Sequence, residues 1–270
     1  MKFAICNEVF EGWTIDDSIK FVANTGYDAI EIAPFTLAQY VTEVPVAERH
    51  RIRAVAADHG IAVSAVHWVL IKTEGMYMTH TDAKVRRETA DYFCELVRFC
   101  ADLGGRAIVV GSPKQRNLLP GVSFEQAWEL ARETFAPSVK LAEDKGVTIC
   151  FEPLAPSETD FVNTAAKGIE FIQQFDSEAF KIILDVKAMC SDPKPIPDII
   201  RDSHPNFAYF HANDANLKGP GFGDVDFKPI FGALKEVGYG GFVSVEVFDF
   251  EEGPETIARE SLRYMQKASA

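Results

Sequence analysis

The sequence predicts an α/β protein folded as a single (β/α)8 TIM barrel over residues 1–270, on three observations. Short apolar runs alternate eight times with longer amphipathic stretches, the pattern of consecutive βαβ units. A length of 270 residues is ordinary for one such barrel, and no linker, solenoid repeat or low-complexity stretch divides the chain. Four of the apolar runs close on a residue that can bind a metal, and a parallel barrel opens all its strand C-termini onto one face.

The elements follow in order. A strand at 3–6 (FAIC) leads to a helix at 15–25, which Gly26 stops with a left-handed cap. A strand at 28–33 (DAIEIA) precedes a helix at 47–58, stopped by Gly60. The third strand, 61–66 (IAVSAV), is followed by a long loop at 67–82 and a helix at 83–103. That helix carries apolar residues at three- and four-residue spacing until Gly104-Gly105, with Gly105 as the cap before the next strand. The fourth strand, 106–110 (RAIVV), precedes a loop at 111–122 and a helix at 123–145 ended by Gly146. Strands at 147–152, 180–185, 207–212 and 242–247 then alternate with helices at 163–175, 196–203, 228–237 and 254–267, with Gly238 ahead of the last strand. The long loops 67–82, 111–122 and 213–227 all follow strands, so they belong to the open face, where they form walls or lids. The string GPGFGD in the last of them lacks the helix start of a phosphate loop and is read as loop-shaping.

Composition narrows the function. With 47% hydrophobic residues the chain can bury a large core. A net charge of -13 argues against nucleic acid and against an anionic membrane surface as partners. Cys6, Cys94, Cys100, Cys150 and Cys190 are an odd number without a C-x-x-C pair, and read as buried reduced thiols. The first residues, MKFAICNEVFEGW, make a poor signal peptide, and no apolar run approaches a membrane span. A cytoplasmic protein is expected.

Glu152 closes VTICFEP, Asp185 FKIILDV, His211 FAYFHAND and Glu246 FVSVEVF, at gaps of 33, 26 and 35 residues, each about one strand plus one helix. Singly, each has an ordinary explanation, since a strand-end carboxylate can cap a helix or pair with a lysine, and a histidine can be a satisfied hydrogen-bonding group. Together they would repel one another unless a cation sits between them. Three carboxylates and one imidazole suit Mn²⁺, Mg²⁺ or Co²⁺ more than a thiolate-seeking ion.

With the motifs FEP at Glu152, LDV at Asp185, FHANDAN at His211 and SVEVF at Glu246, the chain resembles the xylose isomerase-like barrel superfamily over essentially its whole length. The likeness is to its ketose 3-epimerase and sugar phosphate isomerase/epimerase branch. The resemblance implies one divalent ion, Mn²⁺ ahead of Co²⁺ or Mg²⁺, on Glu152, Asp185, His211 and Glu246. It also implies that Glu152 and Glu246 are the acid/base pair on opposite faces of a sugar carbon, and that Glu158 touches substrate. The implied reaction is C3 epimerisation of a ketose or aldose–ketose isomerisation through a metal-stabilised enediolate, with a small sugar as the partner molecule. Relatives of this kind often form dimers or tetramers, so a homo-oligomer is compatible with the resemblance.

Two positions depart from that pattern. Ala188 stands where many ketose 3-epimerases carry a histidine three residues after the metal aspartate, and Leu217 where they carry an arginine six residues after the metal histidine. The sugar contacts are therefore expected to be rebuilt, with His67, Trp68, Lys114, Arg116, Lys187, Asn213 and Lys218 as candidates. Trp68 could stack on a sugar face and the cations of Ser112-Pro113-Lys114-Gln115-Arg116-Asn117 could take a phosphate or carboxylate, unless they pair with the protein's own acids. Glu8 and Glu31, at the ends of the first two strands, add polar contacts or buttress the loops. The same centre could instead serve a dehydratase or lyase of a keto-sugar or keto-inositol. A barrel nuclease would need more histidine ligands and a basic groove, which six histidines and an acidic chain do not offer. A non-catalytic sugar-binding module would not require both Glu152 and Glu246.

Overall fold

The computed structural model describes all residues from Met1 to Ala270. Eight parallel strands close in sequence order into one barrel: β1 (Lys2–Cys6), β2 (Ala29–Ile32), β3 (Ala62–Val66), β4 (Ala107–Val110), β5 (Thr148–Phe151), β6 (Phe180–Asp185), β7 (Phe207–Ala212) and β8 (Phe242–Val245). β1 closes the ring against β8, with Ala4 opposite Ser244 and Ile5 opposite Val245. Nine helices accompany them: α1 (Ile15–Thr25), α2 (Val46–Asp58), α3 (Ala83–Leu103), α4 (Phe124–Lys145), α5 (Ala165–Ile172), α6 (Val186–Met189), α7 (Ile196–Ser203), α8 (Phe227–Glu236) and α9 (Pro254–Ala268). The eight expected strands and eight expected helices are present within a few residues at their ends. The expected helix at 163–175 is α5 continued by a 3₁₀ turn at Gln173–Phe175.

α6 has no counterpart in the sequence reading. It is a single turn beginning at Asp185, whose Oδ1 accepts from the Ala188 amide at 2.7 Å. Glycine caps α1, α3 and α4 in the left-handed conformation, at Gly26, Gly104 and Gly146. Gly105 is therefore not the cap of α3. It is needed for a different reason: a Cβ there would lie 2.8 Å from Cys100 Sγ. Side chains also cap starts: Thr14, Asp82, Ser123 and Asp226 accept from amides in the first turns of α1, α3, α4 and α8.

The main core lies between strands and helices and includes a ring cluster of Phe135, Phe151, Phe171 and Phe180. A second, small cluster of Ala65, Ala107, Val109, Cys150, Ile183 and Tyr209 fills the barrel interior. Its members come from β3 to β7, and the residue two further along each strand sits directly above it on the same face. All five cysteines are free; Cys6, Cys100 and Cys150 are buried and Cys94 is half-buried. Cys190 is exposed rather than buried, because it lies just past α6 on an open loop. No helix is long and apolar enough to cross a membrane.

Candidate metal centre

Strand alternation assembles the centre. Above Cys150, Ile183, Tyr209 and Ser244 stand Glu152, Asp185, His211 and Glu246, all buried. One donor atom from each of these four lies within 4.8 Å of the others. The same alternation puts Glu8 above Cys6, Glu31 above Ala29 and His67 above Ala65, so seven polar side chains crown one end of an apolar barrel.

The cluster is too acidic to be self-sufficient. Burial, followed by Asp185 and Glu246, pushes the Glu152 carboxyl up to about 8. Burial and then Glu246 push Asp185 up to about 6. Burial also acts on Glu246, but His211 outweighs it and holds this carboxyl below its ordinary range. His211 Nδ1 lies 3.1 Å from Glu246 Oε2 without a directed hydrogen bond, and is buried with no partner. Its Nε2 is engaged by Glu31 at 3.1 Å, which leaves the Nδ1 lone pair facing the carboxylates. An orphaned imidazole nitrogen among three carboxylates, two of them pushed away from ionisation, is a donor set that fits one hard divalent cation.

An outer layer fixes these donors. Glu31 bonds His211, accepts from Tyr209 Oη at 2.9 Å and lies 3.4 Å from His67 Nδ1. Burial alone would raise Glu31, but the two imidazoles outweigh it and hold it down to about 2. His67 Nε2 bonds Glu8 Oε2 at 2.8 Å; burial opposes charge on His67, yet Glu8 and Glu31 carry it up to about 9. Asn213 Nδ2 donates to Asp185 Oδ2 at 2.5 Å and reaches Glu246 Oε2 at 3.4 Å, while its Oδ1 accepts from the Lys187 amide at 2.8 Å.

A cavity of about 270 Å³ opens over the centre. Glu152 and Glu246 line it; Asp185 and His211 do not. Among the sequence-derived candidates, Trp68, Lys114, Glu158 and Lys187 line it as well. Lys187 Nζ bonds Glu158 Oε1 at 2.7 Å and lies 4.0 Å from the centre of the Phe248 ring. Trp68 takes a left-handed backbone, φ 51, stacks between Phe35 and Phe248, and donates from Nε1 to Glu246 Oε1 at 2.7 Å.

The other candidates are placed elsewhere. Arg116 is wholly buried, packs 4.8 Å from the Phe151 ring centre and donates to the Glu152 carbonyl at 2.7 Å, so it supports the backbone below the site. Lys218 pairs with Glu251 and Glu252 at the rim. His67 and Asn213 are fully buried and bond the acidic groups rather than facing the cavity. Gly111 and Phe248 line the cavity without having been singled out. Phe248 had a signal, since it lies two residues after Glu246. Gly111 ends the fourth strand run, and its role depends on a tertiary contact that spacing does not reveal.

Comparison with known proteins adds an independent line. The family model described as "Xylose isomerase-like TIM barrel" matches residues 19–268. A D-psicose 3-epimerase of Ruminiclostridium cellulolyticum is 27% identical over 232 residues, covering 85% of this chain and 77% of that protein. The 3-dehydro-D-guloside 4-epimerase of Escherichia coli is 22% identical, covering 98% of this chain and 99% of that protein. A crystal structure of a D-psicose 3-epimerase in the presence of D-fructose superposes with a TM-score of 0.87 at 24% identity, over 100% of this chain and 99% of that one. At that identity it speaks for the fold.

Proposed function

The chain belongs to the xylose isomerase-like TIM barrel family, and from that premise we propose that it is a divalent-metal-dependent epimerase of a keto-sugar. The observation that carries the proposal is the split within the four-residue cluster. Asp185 and His211 are turned to the other donors and to the outer layer of Asn213 and Glu31, whereas Glu152 and Glu246 line the cavity too. A cation site that only bound sugar would not need two of its carboxylates turned to the substrate. The relatives named above act as epimerases at a carbon next to a ketone, which supports the same chemistry here.

The ion would rest on Glu152, Asp185, His211 and Glu246, with Mn²⁺ the first to test and Co²⁺ and Mg²⁺ next. When bound it supplies Lewis-acid polarisation of a substrate carbonyl, which makes the neighbouring C–H acidic. The two glutamates divide the proton transfers by their fixed partners. Glu246 accepts the Trp68 indole hydrogen bond and lies beside His211, so it is held as the ionised base that removes the proton. Glu152 lines the cavity and accepts no side-chain hydrogen bond, so its carboxylate is the one left free to exchange a proton with the other face of the substrate carbon. Lys187, held by Glu158, presents its ammonium to the substrate hydroxyls in place of the histidine and arginine missing at Ala188 and Leu217. Trp68 and Phe248 supply apolar wall beside the ring.

A second reading, loss of water from the same keto-sugar, is favoured by the Lys187–Glu158 pair, which could protonate a departing hydroxyl. One experiment separates the two. Metal-loaded protein is incubated in D₂O with a panel of ketoses and 3-keto-sugars and followed by NMR. Deuterium next to the carbonyl with a new epimer supports the epimerase, and an unsaturated or deoxy product supports the dehydratase. Glu152→Gln and Glu246→Gln should each abolish exchange; full activity in either variant would sink the two-glutamate mechanism.

A further inference from the structure

We propose that the substrate of this chain carries a second sugar ring, bound in a chamber beside the catalytic one. This deepens the epimerase reading above and rests on it. The chamber has a volume of about 480 Å³ and lies over the C-terminal ends of β1 and β2. It shares one wall, Trp68, with the catalytic cavity, so the two open on either side of the residue that holds Glu246.

Its lining is that of a sugar site. Phe10, Trp13, Phe35, Trp68 and Phe250 make its wall aromatic, and the half-buried Trp13 and Phe35 with the exposed Phe250 offer the surface on which the C–H face of a pyranose stacks. Phe250 is 38% exposed at the mouth, one of few large apolar side chains left open to solvent. A lone aromatic pocket would suit many apolar ligands, but the chamber also contains Glu8, which is 6% exposed. Its Oε2 is taken by His67, while its Oε1 is buried with no partner at all. A buried carboxylate oxygen without a donor is costly unless a ligand supplies one, and a sugar hydroxyl is the donor that an aromatic platform would bring beside it. Asn7 does not serve instead: it donates to Thr36 Oγ1 and accepts from the Ala33 amide, and Glu8 Oε1 stays without a partner. Aromatic faces with one free acceptor select a neutral polyhydroxylated ring over an acidic or phosphorylated group, which Glu8 and Glu11 would repel. The occupant is therefore the distal ring of a keto-disaccharide whose proximal, keto-bearing ring lies over Glu152 and Glu246.

The test compares metal-loaded protein acting on a 3-keto-hexose and on the same keto-hexose glycosidically linked to a second hexose. Proton exchange in D₂O and kcat/KM are measured for both. The linked substrate should be preferred by about tenfold or more, the scale of one ring stacking and one buried hydrogen bond. Glu11→Trp, at an exposed position on the chamber wall, should fill it and remove the preference, and Phe250→Ala should reduce it. In both variants the single-ring keto-hexose should react as in the parent. Equal kcat/KM for the two substrates, or a preference that survives Glu11→Trp, would overturn the second-ring site while leaving the epimerase reading standing. Absence of exchange with both substrates would sink that reading and this inference together.

Discussion

Gly111 and Glu152 stand so close that a Cβ on Gly111 would lie 2.2 Å from Glu152 Oε2. β4 and β5 pair in register up to Val110 opposite Phe151, so the next residues face one another at the barrel mouth. Only a hydrogen at that position leaves room for the carboxylate. Gly111→Ala should move Glu152 and lower kcat about 100-fold, the usual effect of displacing a reacting group by about 1 Å. The melting temperature should change little, because the strain is relieved by one side chain at the mouth. Unchanged kcat in Gly111→Ala, with the fold intact by circular dichroism, would remove Glu152 from the reaction.

Trp68→Phe isolates the indole N–H. The ring keeps its place between Phe35 and Phe248, but the 2.7 Å bond to Glu246 Oε1 is lost. That donor stabilises the ionised carboxylate, so its removal raises the pKa of Glu246. The acidic limb of the kcat profile should move to higher pH, and kcat/KM near neutrality should drop about tenfold, the scale of one hydrogen bond to a charged group. A profile with unmoved limbs would mean that Trp68 only packs.

Much of this was legible from spacing. Glu152, Asp185, His211 and Glu246 each end an apolar run one βα unit apart, and in a closed parallel barrel that order allows only one convergence point. Which candidates line the cavity was less legible, since burial decides it. Lys114 and Arg116 are two residues apart in a polar loop, yet one lines the cavity and the other is wholly buried under Glu152. His67 reads like an exposed sugar contact after β3 and instead sits between Glu8 and Glu31. α6 escaped because a single turn has no periodicity to detect; the cap from Asp185 is its cause.

Glu31 acts on the candidate ion only through His211. Replacing it with Gln keeps the size but removes the charge beside His211 Nε2 and leaves one acceptor oxygen where His211 and Tyr209 each use one. Glu31→Gln should weaken metal binding about 10- to 100-fold, as lost outer carboxylates on ligating imidazoles do. At saturating metal most of kcat should return. Calorimetric titration with Mn²⁺ checks the first statement and kcat at excess Mn²⁺ the second; undiminished affinity would show that Glu31 serves the barrel core alone.

Metal binding and stability should be linked to pH with a definite sign. Glu152 is raised to about 8 and Asp185 to about 6, mainly by burial, and Glu246 with Glu31 raises His211 well above its ordinary range against the effect of burial. The folded chain without an ion therefore holds protons that the unfolded chain has lost, above the ordinary carboxylate range for Glu152 and Asp185 and above the ordinary imidazole range for His211. Stability of the ion-free protein therefore decreases as pH rises toward 8. A cation must displace these protons, so its affinity should increase over the same interval and its binding should release protons into the buffer. The gain in melting temperature on adding Mn²⁺ should be larger at pH 8 than at pH 6, since ligand stabilisation follows affinity. Titrations in buffers of different ionisation enthalpy count the protons released. A gain that shrank between pH 6 and pH 8, or binding without proton release, would show that the ion does not sit among Glu152, Asp185 and His211.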